Sequence, residues 1–331
     1  MPKNLVICCD GTNNKFGPQN TNVVRLIQGL DKKSPTQRLF YDPGVGTLPE
    51  PRLMTKVGKW IDKVLQLGFG KGLTTNVEEA YTFLMDQWEP GDKVFLFGFS
   101  RGAYTVRVLA GMLYALGLIP RGNHNLVPYV MRLFKSVRGR KPENDGNDAK
   151  DDSNYWKLCS QFRKTFARPV AEGDDQRRFE IQFMGLWDTV SAVGWIWNPR
   201  TFPYTANNPG VKTVRHAVAI DERRIFFRQN LMSEAKGQNL QQIWFPCVHS
   251  DVGGGYAEED GGLWRAPYEW ILDGARAAGM DVDQARLTTT RTRVTPSPKP
   301  WLDQAHESLD WRWKWAEYLP RRAWNPSTKK E

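Results

Sequence analysis

The sequence predicts an α/β fold, in which a doubly wound, mainly parallel sheet carries helices on both faces and an inserted cap-like segment. Apolar stretches of strand length alternate with helical stretches along the chain, which is typical of parallel sheets with crossover helices. Lys93–Phe99 is apolar almost throughout rather than at alternate positions, as expected of a central strand covered on both faces. The next segment, 102–117, is rich in Ala, Val and Leu and predicts a helix packed on that strand.

The composition is that of a globular protein. The chain has 331 residues, 40% of them hydrophobic and 25% charged, which suits one domain, 1–331, with an insertion. No run of 18 apolar residues occurs, so no transmembrane helix is predicted. The apolar run Leu5–Cys9 is too short for the core of a signal peptide. We therefore expect synthesis in the cytoplasm without a classical export signal, and a non-classical secretion route stays open.

Charge and cysteine content narrow the classes of partner. The formal net charge of +10 is compatible with attraction to an anionic lipid or nucleic-acid surface, and equally with a merely basic protein. No helix-turn-helix, RNP or zinc-finger signature is present, so no nucleic-acid partner is expected. The four cysteines contain no Cys-x-x-Cys spacing, which predicts buried reduced thiols and neither a zinc nor a redox site. No metal and no cofactor are predicted.

The other elements follow from periodicity and capping signals. Strands are predicted at 4–9, 38–41, 179–187 and, as a further buried strand, 242–248. Helices are predicted from the Asn20-Thr21 cap to about Asp31, at 56–67, from Thr75 onwards, at 265–279 and, as an apparent helix, at 212–221.

Two segments stand apart from this alternation. Residues 121–178 are rich in charge, Gly and Asn, with short helical stretches near 128–137 and 155–166, and we interpret them as an insertion that forms a cap or lid. Residues 288–331 are rich in Pro, Trp and Arg and form a C-terminal extension.

The predicted nucleophile lies between the central strand and the helix that follows it. Gly98-Phe99-Ser100-Arg101-Gly102 matches Gly-x-Ser-x-Gly, and in a strand–turn–helix context this motif is the nucleophile elbow of α/β-hydrolases. Gly98 and Gly102 prevent clashes of side chains with the neighbouring strand and helix. Ser100 is therefore the predicted nucleophile, and the fold is expected to be α/β-hydrolase-like. An ordinary strand–loop–helix turn is the alternative.

A serine nucleophile needs a base, and the chain has four histidines. His124 comes too early in the chain, and His216 lies within the segment interpreted as helical. His249 follows a predicted strand and opens a loop, which is where a catalytic histidine belongs in this fold. His306, in the C-terminal extension, is the alternative.

The predicted acid is Asp188, because an apolar strand ends at this single carboxylate. From there it can accept a hydrogen bond from the histidine and hold its tautomer. A turn or capping aspartate is the alternative interpretation, and Asp251 is a second candidate. For the oxyanion hole we expect the amide of Arg101 together with that of Gly11 or Thr12, which follow the first strand.

Five segments in this order resemble a known family, the α/β-hydrolase domain of the type VI secretion lipase effectors and their stand-alone relatives. They are Cys9-Asp10-Gly11-Thr12-Asn13-Asn14, Tyr41-Asp42-Pro43-Gly44-Val45-Gly46, Gly98-Phe99-Ser100-Arg101-Gly102-Ala103-Tyr104-Thr105, Gly185-Leu186-Trp187-Asp188-Thr189-Val190 and His249-Ser250-Asp251-Val252-Gly253-Gly254-Gly255-Tyr256. The resemblance spans about residues 3–260 and implies Ser100, Asp188 and His249 as a triad. It also implies phospholipase A-type cleavage of lipid esters. The chain shows no large C-terminal membrane-targeting region and no secretion-adaptor domain, so the hydrolase implication is firmer than the phospholipid one.

The tryptophan-rich extension suggests contact with a membrane. Trp311, Trp313 and Trp315 alternate with Arg312 and Lys314, and tryptophan beside cations suits a lipid headgroup interface. Packing of these rings on the core is the alternative. Loss of vesicle binding on removal of residues 300–331 would support the membrane hypothesis.

Three other functions are alternatives to a lipid hydrolase. A small-molecule carboxylesterase would use the same residues. A haloacid-dehalogenase-like phosphatase is suggested by Asp10-Gly11-Thr12 after a strand, but its nucleophilic aspartate would stand where Cys8 does. A catalytically silent binding module on a hydrolase scaffold would need no activated serine.

Overall fold

The computed structural model describes most of the predicted core. The described residues are 1–11, 20–44, 71–136, 148–190, 202–224, 227–257, 261–292 and 306–309, with two short strands at 194–195 and 198–199. The helix predicted at 56–67 and most of the C-terminal extension lie outside these ranges.

Six parallel strands form the central sheet and confirm the predicted fold class. They are β1 (Asn4–Cys9), β2 (Gln37–Asp42), β3 (Lys93–Phe99), β4 (Ile181–Trp187), β5 (Val211–Ala219) and β6 (Asn239–Phe245). The strand order is β2-β1-β3-β4-β5-β6, and every neighbouring pair is parallel. All six carboxyl ends therefore lie at one edge of the sheet, which is where ligands bind in open α/β sheets.

Helices cover both faces of this sheet. They are α1 (Asn22–Gly29), α2 (Lys71–Gln87), α3 (Arg101–Leu116), α4 (Val127–Lys135), α5 (Asp148–Phe166), α6 (His249–Gly253), α7 (Arg265–Ala277) and α8 (Gln284–Thr292). Helix α1 begins at the predicted cap, where the Thr21 side chain accepts from the Val24 amide.

Two apolar clusters, one on each face, explain the continuous apolar strands. Leu5 and Ile7 of β1 pack with helices α2 to α5. Val6 and Cys8 of the same strand pack with α1 and α7 on the other face. Since successive side chains of a strand point to opposite faces, a sheet buried on both sides requires apolar residues at every position.

The segment predicted as a helix at 212–221 is instead strand β5, which pairs with β4 and β6. The prediction was wrong because polar side chains, among them the buried His216, interrupt the apolar run and obscure its period of two. Pairing between two parallel neighbours decides the conformation here, since it satisfies the backbone on both sides.

The strand predicted as buried at 242–248 is the edge strand β6, and it ends at Phe245. Ile243 and Trp244 remain 40% and 43% exposed. The apolar run predicts an internal strand, but among the described residues the strand lies at the end of the sheet and pairs with β5 alone.

The inserted segment contributes to the core. Helices α4 and α5 pack against α3, and Val130, Phe134 and Phe162 join the apolar cluster of that face. Helix α5 begins earlier than predicted. In the described part of the chain, no helix combines the length and the apolar character needed to cross a bilayer.

Candidate active site

Ser100 forms a tight elbow between β3 and α3. Its backbone has φ 56° and ψ −121°, a conformation that side-chain-bearing residues adopt at a cost in free energy. Two backbone hydrogen bonds hold it, from the Ser100 amide to the Trp187 carbonyl at 3.0 Å and from the Val190 amide to the Ser100 carbonyl at 3.3 Å. The turn presents the hydroxyl at the carboxyl edge of the sheet.

The two elbow glycines lie where strand and helix approach most closely. A Cβ at Gly102 would lie 2.1 Å from the carbonyl oxygen of Cys9, and a Cβ at Gly98 would lie 2.6 Å from the backbone of Ala103. Both obstacles are backbone atoms, so only glycine allows this close approach of strand and helix.

His249 lies against the Ser100 hydroxyl. Its Nε2 is 2.9 Å from Ser100 Oγ, and its ring is stacked on Phe99 and makes a T-shaped contact with Phe227. The side chain is buried. The predicted loop is instead the short helix α6, which begins at His249 itself.

Asp188 holds the opposite nitrogen of the imidazole. Its Oδ2 lies 2.6 Å from His249 Nδ1, and its Oδ1 accepts from the Ala219 amide at 2.9 Å. With Nδ1 donating to the carboxylate, Nε2 is left as an acceptor for the serine proton. The structure thus brings the three predicted residues into one hydrogen-bonded chain.

The alternative candidates His306 and Asp251 pair with each other rather than with Ser100. His306 Nδ1 lies 2.7 Å from Asp251 Oδ1. The other two histidines are engaged elsewhere: His124 with Asp86 at the surface, and His216 with neighbours of β5.

Of the three residues predicted to supply oxyanion donors, the structure describes Arg101 and Gly11. Arg101 is the first residue of α3, so its amide has no acceptor within the helix and adjoins the nucleophile. The Gly11 amide donates to Asp10 Oδ1 at 2.7 Å and is not directed at the serine, which corrects that expectation. Thr12 lies outside the described residues. Burial lowers the pKa of the Arg101 guanidinium to about 10.

Asp10 organises the end of β1. Besides the Gly11 amide, its carboxylate accepts from Thr21 Oγ1 at 2.7 Å and from the Tyr41 hydroxyl at 3.2 Å. These bonds tie β1 to α1 and β2 beside the elbow, so the aspartate of this motif has a structural role.

Sequence reasoning missed one buried carboxylate in contact with His249. Glu222 Oε2 accepts from the His249 amide at 3.3 Å. The sequence pattern of 212–221 favours a helix and so hides that Glu222 is an acid after a strand, which is the signal that identifies Asp188. Within the described ranges, no group of three or more His, Cys, Asp or Glu side chains is arranged to hold a metal ion.

Comparison with known proteins places the chain in a family. Residues 3–274 match the family described as T6SS, phospholipase effector Tle1-like, catalytic domain. An uncharacterized protein of Saccharomyces cerevisiae is 34% identical over 234 residues, which are 69% of this chain and 32% of that protein. The chain thus spans about a third of the length of this curated relative, and the similarity extends to a eukaryote.

Solved structures show more distant similarity. An uncharacterized protein from Pseudomonas aeruginosa is 18% identical with a TM-score of 0.47, over 96% of this chain and 51% of that one. The Tle1 effector bound to the VgrG spike of the Type 6 secretion system is 22% identical with a TM-score of 0.39, over 77% and 51%. The family match confirms the predicted resemblance: the chain belongs to the Tle1-like catalytic-domain family of T6SS phospholipase effectors.

Proposed function

We propose that the chain is a serine hydrolase that cleaves carboxylic esters through Ser100, His249 and Asp188. The observation that carries the proposal is the hydrogen-bonded chain from Ser100 Oγ through both imidazole nitrogens to Asp188, at 2.9 and 2.6 Å. Membership of the Tle1-like family supports hydrolase chemistry of the lipase or esterase type.

In the acylation step, Ser100 Oγ bonds to the ester carbonyl carbon while His249 Nε2 takes the hydroxyl proton. The carbonyl oxygen becomes an oxyanion, which the Arg101 amide and the positive end of the α3 dipole stabilise. The C–O bond of the ester then breaks, and His249 passes its proton to the departing alcohol. Ser100 is left acylated.

Deacylation repeats these steps with water. His249 takes a proton from the water while the water oxygen attacks the acyl carbon. The bond between the acyl carbon and Ser100 Oγ then breaks as His249 returns the proton to the serine. Asp188 stays ionised throughout and stabilises the transient imidazolium. The carboxylic acid leaves and the enzyme is restored.

The substrate class proposed is a lipid ester, cleaved in the manner of a phospholipase A. This part of the proposal rests on the family description. A short-chain carboxylesterase would use the same residues, and the ester panel below distinguishes it from a lipid hydrolase. A catalytically silent module is distinguished by the labelling experiment.

The test is labelling by a fluorophosphonate probe, with Ser100→Ala as the key variant and Ser136→Ala, at the end of α4, as its control. The native protein and the control should label and the Ser100 variant should not. Asp188→Asn should lower kcat by roughly 10⁴-fold, because the imidazole adopts the wrong tautomer. Absence of label on the folded native protein would make the silent module the better account.

A panel of esters then identifies the substrate class. Hydrolysis of phosphatidylcholine and phosphatidylethanolamine vesicles, measured as released fatty acid, supports the phospholipase proposal. Labelled protein that cleaves only p-nitrophenyl butyrate and similar short esters is a carboxylesterase.

A further inference from the structure

Two buried carboxylates hold the backbone at His249. Glu222 Oε2 accepts from the His249 amide and Asp251 Oδ2 from the Val248 amide, each at 3.3 Å. His249 is the first residue of α6, so its amide has no acceptor within that helix. The direction in which the imidazole leaves the backbone therefore depends on these two side chains.

Residues from the far end of the chain engage both carboxylates. Ser308 Oγ donates to Glu222 Oε1 at 3.0 Å. His306 pairs with Asp251 through Nδ1 at 2.7 Å and through its amide at 3.3 Å, and its ring is stacked on Tyr256. The stretch 306–308 thus bridges the two groups that support the His249 backbone.

Glu222 is also placed to act through its charge. Its side chain is fully buried and paired with Arg224 at 2.9 Å. Burial alone would raise the pKa of Glu222, but the hydrogen bonds and charge of Arg224 outweigh it and hold the pKa below its ordinary value. Arg224 in turn lies over the Phe227 ring, which makes a T-shaped contact with His249.

We propose that Glu222 is a positioning residue for His249, and that His306 and Ser308 complete the support. The inference deepens the proposed hydrolase mechanism and rests on it. The carboxylate fixes the backbone from which the imidazole reaches Ser100, and it adds negative charge where His249 becomes cationic in the transition state. The contacts of His306 with Asp251 and of Ser308 with Glu222 are then a requirement for efficient turnover.

Three variants test the proposal. Glu222→Gln removes the charge with little change in volume, and Ser308→Ala removes only the outer donor. Glu307→Ala is the matched control, because Glu307 lies between His306 and Ser308 but pairs with Arg223 in an exposed ion pair at 3.2 Å. Far-UV circular dichroism and thermal unfolding establish that each variant is folded.

The readouts are the rate of Ser100 labelling by the fluorophosphonate and the pH profile of kcat/KM on an ester. Since a small misplacement of a catalytic group can cost about 100-fold, Glu222→Gln should slow labelling by roughly 10- to 100-fold. Ser308→Ala should slow it by about 3- to 10-fold on the same reasoning, and Glu307→Ala should stay within about twofold of the native rate. The loss should appear in kcat rather than in KM.

The pH profile separates positioning from a general structural role. Two charged groups, Asp188 and Glu222, contact His249 directly. Arg224 lies over Phe227, which contacts the imidazole. Asp251 accepts from the amide of Val248, the residue before His249. A carboxylate favours the protonated form of a nearby imidazole. In Glu222→Gln the acidic limb of kcat/KM should therefore move to lower pH.

Native-like labelling rates and pH profiles in both Glu222→Gln and Ser308→Ala would overturn the inference while leaving the proposed function standing. If Glu222→Gln fails to fold, the Ser308→Ala rate decides, because Glu222 is intact in that variant. If the native protein takes no label, the proposed function fails and this inference fails with it.

Discussion

His216 is buried beside the strand end that carries Asp188, and both of its ring nitrogens are hydrogen-bonded. Nε2 lies 3.1 Å from Thr189 Oγ1, and Nδ1 lies 3.0 Å from Gln242 Oε1. Because that amide oxygen can only accept, Nδ1 carries the proton and Nε2 accepts from Thr189. Burial first, and the charge of Arg107 second, lower the pKa of His216 to about 4, so a neutral imidazole supports the residue after Asp188.

This network predicts a pH dependence of stability. In the unfolded chain the imidazole takes up a proton near pH 6.5, whereas the folded protein resists protonation until about pH 4. The contribution of His216 is therefore fully present above pH 6.5 and is lost as the pH falls towards 4, by about 3 kcal/mol in all. Urea unfolding at pH 7 and pH 5 should show a steeper loss for the native protein than for His216→Gln, and parallel losses would contradict this account.

The elbow leaves no room for a side chain at its two glycines, Gly98 and Gly102. Helix α3 crosses the end of β1 so closely that a Cβ at Gly102 would also lie 2.5 Å from the carbonyl oxygen of Asp10. Gly255, in the turn after α6, has its nearest neighbour at 3.4 Å, the Cβ of Ser250. The two glycines therefore differ in the space available, although both flank the candidate site.

Gly102→Ala should be destabilising, although alanine normally favours a helix over glycine. The clash involves backbone on both sides, so β1 must separate from α3, at a cost of about 1–3 kcal/mol or more. Gly255→Ala should change the free energy of unfolding by less than about 1 kcal/mol. Urea midpoints of the two variants measure the difference, and equal midpoints would mean that the elbow relaxes easily.

The four free cysteines lie in different parts of the molecule. Cys8 and Cys9 lie in β1, Cys159 lies in the inserted helix α5, and Cys247 follows β6. All four are buried, and burial raises the pKa of each thiol. None is therefore expected to form a reactive thiolate in the folded protein.

These thiols test the proposal that residues 1–331 form one domain. Native protein should react with none of its four thiols on mixing with a disulfide reagent such as DTNB. All four should become reactive together through the urea transition, because a single domain unfolds cooperatively. Mass spectrometry of partly modified protein gives the order in which the four cysteines react. Early modification of Cys159 alone would show that the insertion unfolds independently of the rest.

Local signals in the sequence determined the parts of this protein whose interactions are close along the chain. The strand, glycines and helix around Ser100, the Thr21 cap, and the acid after β4 were all predicted from neighbours within a few residues. Such features need no knowledge of the rest of the chain, because a turn or a cap is stabilised by its own segment.

Tertiary structure alone decided the parts that depend on distant partners. The conformation of β5 and the exposure of β6 follow from strand order, which the residues of either segment do not encode by themselves. The pairing of His306 with Asp251 and the contact of Glu222 with His249 join residues at least 27 positions apart. A buried polar group takes whichever partner the folded chain brings to it, since leaving it unpaired costs more free energy than almost any local preference supplies.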